Sequence, residues 1–397
     1  MRVYSPAVSD WNQWNGDQGN RAHRPALEGP ERRLETEWTV EVGELRGSPV
    51  LDDRTVYVGT DRGLAAFDRD DGYHRWTADL FGEATTPVLT RERVVVATRN
   101  GTVYGLEAAS GETVWERSLE GPLESTPTLA DGTVYVGDAN GVAALEAESG
   151  ERRWYRTDGD DDADPDDIDL EPDTDDENAL GASKASLEVD GLEAGGGEAI
   201  GPVLGAPAVA DGYVYVGCRG GTVHALEAAS GERVWTAPTN GDPVGGLTAV
   251  DGRVYVAVDA GMLVAMDGET GQSWFTYRIR ESFTSSPTVL EDTLFVAASD
   301  GYLHVTDTEF GNRKLRGYLF SKKGLSLDGV AHTSPVVVGD VGMVVDSTRA
   351  IYAFDATDPD FTWHLPLEAP VVGTPAVAPG RLFVAREDGN LSALSWR

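Results

Sequence analysis

Short apolar, β-branched runs punctuate the chain: TVYVG at Thr55–Gly59, RVVVA at Arg93–Ala97, TVYVG at Thr133–Gly137, TLFVA at Thr293–Ala297. Each is bounded by Asp, Asn or Gly. None extends into a 3.6-residue periodicity over about ten residues or more, so the pattern predicts strands joined by tight turns and no helices. The runs sit inside a longer unit: Ser/Thr-Pro, a few apolar residues, Asp-Gly, a VYVG-like run, a glycine turn, an apolar run ending in Asp or Glu, then Gly and Trp. Thr126–Trp154, TPTLADGTVYVGDANGVAALEAESGERRW, holds all of it. The anchors are Pro49, Pro87, Pro127, Pro207, Leu247 in the proline position, Pro287, Pro335 and Pro375, with steps of 38, 40, 80, 40, 40, 48 and 40. The period is 40 and there are eight copies.

Four strand-like runs per unit predict a four-stranded antiparallel blade, and eight units predict an all-β, eight-bladed β-propeller. The VYVG column aligns on Val58, Val96, Val136, Val216, Val256, Val296, Val344 and Val384. Five residues on stand Gly63, Gly101, Gly141, Gly221, Gly261, Gly301, Arg349 and Gly389. The last copy stops at LSALSWR, after three strands, while TEWTVEV (Thr36–Val42) precedes the first anchor with no unit of its own. The N-terminal strand is therefore expected to complete the last blade, pairing edges that would otherwise be open. Residues 1–397 read as a single propeller domain. The step of 80 hides an insertion at 158–200, between blades 3 and 4, acidic and then Gly/Ser-rich, which reads as disordered and as overhanging the channel mouth.

Charge changes the picture of the surroundings more than of the fold. Asp and Glu number 67 against 32 Lys and Arg, a net charge of −35. Only Lys184, Lys314, Lys322 and Lys323 are lysine; the remaining cations are arginine. Such a field repels nucleic acid and anionic membrane surfaces. Spread along the whole chain, it reads as adaptation to strong brine, similar to the proteins of halophilic archaea. No stretch approaches the ~20 apolar residues of a membrane span. The N-terminus has no apolar signal region, which gives the expectation of a cytoplasmic monomer, or an extracytoplasmic one if the N-terminus is trimmed. One cysteine, Cys218, excludes internal disulfides and Cys-based zinc sites.

The block Gly/Ala-apolar-Asp/Glu-x-x-Ser/Thr-Gly-x-x-x-Trp, at Gly105–Trp115, Ala144–Trp154 and Ala225–Trp235, resembles the tryptophan-docking motif of quinoprotein-type propellers. Weaker forms stand at Ala66–Trp76, Ala265–Trp274 and Ala353–Trp363, and DWNQWNGDQGNRAH resembles the lead-in of that family. The resemblance implies that Trp38, Trp76, Trp115, Trp154, Trp235, Trp274 and Trp363 (with Leu315 in the eighth place) dock each outer strand onto the next blade. It implies one of two functions. One branch of the family comprises dehydrogenases that use pyrroloquinoline quinone and Ca²⁺. The other comprises non-catalytic, BamB-like scaffolds that bind proteins. A single cysteine, near-minimal repeats and no recognisable calcium cage favour the scaffold, with protein partners and no cofactor. The alternatives are a quinone-dependent oxidoreductase and a small-ligand sensor.

In a propeller, the turns after the second strands meet at the channel mouth. Position by position they read Thr60, Thr98, Asp138, Cys218, Val258, Ala298, Asp346, Arg386, and then Asp61, Arg99, Ala139, Arg219, Asp259, Ser299, Ser347, Glu387. Arg99, Asp138, Arg219, Asp259, His332, Asp346 and Arg386 are thus candidate ligand or partner residues. Asp138 is expected opposite Asp346, Arg219 opposite Arg386, and His332 beside Asp346. Blade 7 departs most from the pattern, through Arg349 and Pro359. Brine adaptation predicts that far-UV circular dichroism shows a native β spectrum in molar KCl and its loss in low salt; a fold equally stable in both would overturn that reading.

Overall fold

The computed structural model describes residues 11–157, 200–314 and 323–396. Eight antiparallel sheets follow one another in chain order. In blade 1 the inner strand is Leu45–Leu51, the second Thr55–Thr60, the third Gly63–Asp68 and the outer His74–Asp79. The second strand in every blade is the VYVG-like run, and it is almost wholly buried. Each blade lies between two others, so both faces of its middle strands are covered. This is why these runs are continuously apolar instead of alternating.

The ring closes as the orphan strand predicts. Glu35–Glu41 pairs antiparallel with Asn390–Ser395 and becomes the fourth strand of blade 8, with Trp38 opposite Ala393. Blade 6 takes its outer strand from Gly324–Ser326. Leu315 and nearly all of the acidic insertion lie outside the described residues.

Neighbouring blades are joined by a repeated bond. The Trp76 indole donates to the Ala108 carbonyl of the next blade at 3.0 Å, Trp115 to Ala147 at 3.1 Å, Trp154 to Ala228 at 3.1 Å and Trp235 to Gly268 at 2.8 Å. Each acceptor lies three residues before a turn glycine. Gly111 has φ +75°, and a Cβ there would stand 2.5 Å from the Trp76 ring, so the glycine supplies both the left-handed turn and the ring's flat seat. The tyrosines of the second strand reach the same carbonyls: Tyr135 to Ala228 at 3.1 Å and Tyr215 to Gly268 at 3.2 Å. Each buried ring contributes roughly 2–3 kcal/mol. Trp38 docks likewise on Arg69, and Trp363 donates to Pro30 at 3.0 Å, so the N-terminal stretch stands in for the turn that blade 8 would offer.

Blade 5 differs from the expectation. In the other copies the docking ring follows the turn glycine by four residues, and four after Gly271 stands Phe275, not Trp274. Phe275 is 8% exposed and lies on Gly311, whose Cβ would be 2.4 Å from its ring. Trp274 is 51% exposed; it stacks on Arg253 at 4.3 Å and donates to the Glu309 carbonyl. The turn has the ordinary length, so Phe275 pairs with Ala265 as Trp235 does with Ala225; Trp274 stands one place earlier, where blade 4 has Val234, and side chains alternate across a strand.

The lead-in segment fills the channel's far end. The residue two after each anchor carries an inner-strand amide facing the axis. Leu51 donates to the Trp11 carbonyl, Leu89 to Asn12, Val209 to Gln18, Ala249 to Gly19 and Val337 to Ala22. Leu129 donates to the Gln13 side chain at 2.7 Å, which donates back at 3.2 Å. The Asn20 amide bridges blades 4 and 5 through the Pro207 and Leu247 carbonyls at 2.8 and 2.9 Å. His23–Arg24 then pairs parallel with the inner strand of blade 7. Six of the eight blades are thus tied to one stretch of chain. These bonds satisfy donors that would otherwise be buried without partners.

Phe275→Ala is expected to cost about 3–5 kcal/mol, and Trp274→Ala about 1 kcal/mol, in denaturant midpoints taken in molar KCl. A larger loss for Trp274→Ala would place the docking ring at the tryptophan after all.

Candidate functional site

The connections between blades and the turns after the second strands share one end of the ring, the upper face. All eight turns are tied down alike. The amides of Asp61, Arg99, Ala139, Arg219, Asp259, Ser299, Ser347 and Glu387 donate to the connection carbonyls of Glu44, Glu83, Pro122, Pro202, Asp242, Ser282, Val330 and Pro370 at 2.8–3.1 Å. The backbone is therefore constant here and the side chains carry what differs.

Adjacent positions behave oppositely. The first column turns into the blade interfaces: Asp138 is 1% exposed, Asp346 3% and Arg386 6%. The second column, with Arg99, Arg219 and Asp259, is exposed. Asp138 and Asp346 are consequently not a pair presented across the channel; both side chains are buried. Asp138 accepts from Asn140 and Gly141 amides at 2.7 and 2.8 Å, from Glu120 at 3.0 Å and from the Tyr155 hydroxyl at 2.9 Å. It is a turn-forming residue, and together with burial it raises the Tyr155 pKa. Arg219 is neutralised by Glu124, and Arg386 by Glu368 at 3.2 Å and Asp388 at 3.3 Å. Asp259 accepts from the Asp242 amide on the rim.

Two cavities open on this face. The axial one, about 200 Å³, is walled by the pairs of small residues before the anchors of blades 1 to 5, including Gly47-Ser48, Thr85-Thr86 and Gly245-Gly246, and by Gly373 of blade 8. These pairs lock blade to blade: the Ser48 amide donates to Thr86 Oγ1, Thr374 to Ser48 Oγ and Gly246 to Ser286 Oγ, each at 2.8 Å. Trp14, from the lead-in, also lines it, and a Cβ on Gly246 would stand 2.4 Å from the Trp14 ring. Arg46 and Arg99 are part of its wall and share Glu83 at 3.5 Å. The second cavity, about 290 Å³, lies between blades 7 and 8 and brings His332 together with Asp346, Ser347 and Glu387. Sequence reasoning missed Trp14 and the small-residue wall. The wall was visible as Gly, Ser or Thr two places before every anchor; the position of Trp14 was not, because nothing in its spacing ties it to the repeats.

A buried polar chain crosses blades 5 and 6. Arg313 donates to the Tyr277 oxygen at 3.0 Å, so the Tyr277 hydroxyl donates to His304 Nδ1 at 2.8 Å, and Nε2–H faces Asp300 at 3.2 Å. Burial lowers the His304 pKa below 6.5, outweighing the opposite pull of Asp300. The unfolded chain thus binds that proton more readily than the folded one. Stability held above pH 6.5 is expected to fall as pH drops through 6.5 toward the depressed value, and His304→Gln should flatten the slope of melting temperature between about pH 7.5 and 6. An unchanged slope would remove His304 as its source.

Against known proteins, residues 61–200, 184–259, 219–341 and 316–397 match a family profile described as outer membrane protein assembly factor BamB. The BamB of Yersinia pestis is 27% identical over 199 residues, covering 48% of this chain and 43% of that protein. The chain spans less than half the length of the curated relatives it matches. The crystal structure of BamB from Moraxella catarrhalis superposes with a TM-score of 0.66 at 18% identity, covering 92% of this chain and 98% of that one. Quinohemoprotein alcohol dehydrogenase from Comamonas testosteroni gives 0.72 at 15% identity, covering 98% and 80%. At such identities the two structures establish the shared fold alone.

Proposed function

The chain belongs to the family of repeat propellers described as outer membrane protein assembly factor BamB, and from that premise we propose that it is a salt-adapted, non-enzymatic scaffold whose upper face holds another protein. The observation that carries this reading is the state of the channel. Its far end is filled by residues 11–24, and what remains open is about 200 Å³ lined mostly by small residues, with Trp14, Arg46, Arg99 and Glu124. That is below the roughly 300–1,000 Å³ of pockets that enclose drug-sized ligands.

The residues present do not fit pyrroloquinoline quinone with Ca²⁺. A calcium ion takes about six to eight oxygens, several from carboxylates. The one carboxylate of the axial wall, Glu124, is already paired with Arg219. Among the described residues no three His, Cys, Asp or Glu side chains come together as a metal site. The likeness to a quinohemoprotein dehydrogenase concerns the fold. The upper face suits protein recognition better, with rigid turns, exposed charges of both signs and ion pairs such as Arg46–Glu83–Arg99. Exposed pairs of this kind contribute only about 0–1 kcal/mol to stability and remain available to a partner.

Two measurements test the proposal. Titration with the quinone and Ca²⁺ in molar KCl is expected to give neither bound-cofactor absorbance nor dye reduction; either signal would overturn it. Affinity capture in molar KCl is expected to recover a protein partner with the native chain and to lose it with Arg46→Glu/Arg99→Glu. A partner held equally by both would move the interaction away from the upper face.

A further inference from the structure

The repeat supplies an internal control for a single buried carboxylate. Asp138 and Asp346 occupy the same position in blades 3 and 7, and both are at least nine-tenths buried. Both oxygens of Asp138 are used. In blade 7, Oδ1 of Asp346 accepts from the Thr348 amide at 3.0 Å, the Thr348 hydroxyl at 2.6 Å and the Ala350 amide at 3.3 Å, while Oδ2 is enclosed without a hydrogen-bond partner. The donors that serve Asp138 are replaced one by one. His364 stands where blade 3 has Tyr155; it is exposed and stacked on Tyr352. The Tyr352 hydroxyl goes to Asp328 at 2.8 Å. Asp328 stands where blade 3 has Glu120, and Oδ2 of Asp346 receives no bond from it. Leaving a buried carboxylate oxygen without a donor is unfavourable, and a bound donor removes the cost.

Asp346 lines the cavity between blades 7 and 8. At about 290 Å³ it has room for a side chain and not merely one water. Its wall is divided. Val345, Pro370 and Val371 form an apolar side suited to a methylene stem, and Asp346 and Glu387 supply negative charge. The nearby cation, Arg386, is already engaged by Glu368 and Asp388. An aliphatic wall beside the Asp346 and Glu387 side chains, in a protein of net charge −35, calls for a cation on a short alkyl chain.

We infer that the cleft between blades 7 and 8 seats a basic side chain of a protein partner, with arginine the best match because its guanidinium keeps several donors when desolvated. The source of the cation rests on the scaffold reading above. The two fail differently: without a protein partner the cleft would still bind the cation offered as a small molecule.

Calorimetric titration of the full chain in molar KCl tests this, with Nα-acetyl-arginine methylamide as probe and the matching norleucine and glutamate compounds as controls. The arginine probe is expected to bind near the millimolar range and the controls not to bind. Asp346→Asn should weaken binding at least tenfold. His332→Trp, which narrows the cavity from its exposed side and leaves the carboxylate intact, should do the same with an unchanged melting temperature; it covers the case in which Asp346→Asn perturbs folding. No binding of the probe, or equal binding by the native chain and a folded Asp346→Asn, would overturn the site. Agmatine binding at least tenfold more tightly than the blocked arginine would overturn the assignment to a protein side chain in favour of a free metabolite.

Discussion

Everything in this protein hangs on the seating of one aromatic ring against a glycine of the next blade. A four-stranded blade whose middle strands are apolar on both faces can hide neither face alone, so each blade is stable only between neighbours. The ring, the glycine beneath it, the carbonyl that accepts the indole proton and, in several blades, the tyrosine that shares that carbonyl form one unit. Blade 5 separates the requirement from its usual occupant: Phe275 sits flat on Gly311 without any indole bond. Aromatic area on a bare Cα is what the interface needs, and the hydrogen bond is an addition to it.

Circular packing also has to close, and the N-terminus closes it twice. At the rim, Glu35–Glu41 completes blade 8. At the axis, the stretch from Trp11 to Ala22 takes up amides that the inner strands direct into the channel. The second closure has a functional side. It occupies space in which a propeller can hold a ligand, and leaves on the upper face a shallow polar well and a cleft between the last two blades. Among the described residues neither brings three His, Cys, Asp or Glu side chains together as a metal site. Both offer charge, hydrogen bonding and shape.

The candidate residues divide according to the kind of information that located them. Six of the turn and connection residues were found by aligning columns and His332 by its place just before an anchor motif, and all of them lie on the upper face or just beneath it. Alignment did not reveal that neighbouring columns face opposite ways, which buries Asp138 and Asp346 while leaving Arg99 and Arg219 in solvent. The proximity of His332 to Asp346 was legible because both are fixed by the same blade. The unpaired oxygen of Asp346 was not, since it depends on where Tyr155 and His364 direct their side chains. Arg349 did mark something local: it holds φ +69°, a left-handed conformation that six glycines of its column share.

By itself the sequence determined the number of blades, the strands within each and the way the ring is completed. These are written as a period, and a period records contacts between residues close in the chain or one repeat apart. Only the tertiary structure decided which aromatic fills the seat of blade 5, where residues 11–24 run, and which of two identical aspartates keeps an oxygen free. A shift of one residue reverses the direction of a side chain. The lead-in meets partners more than two hundred residues away. Hydrogen-bond completeness is a property of everything around an atom, and no spacing along the chain encodes it.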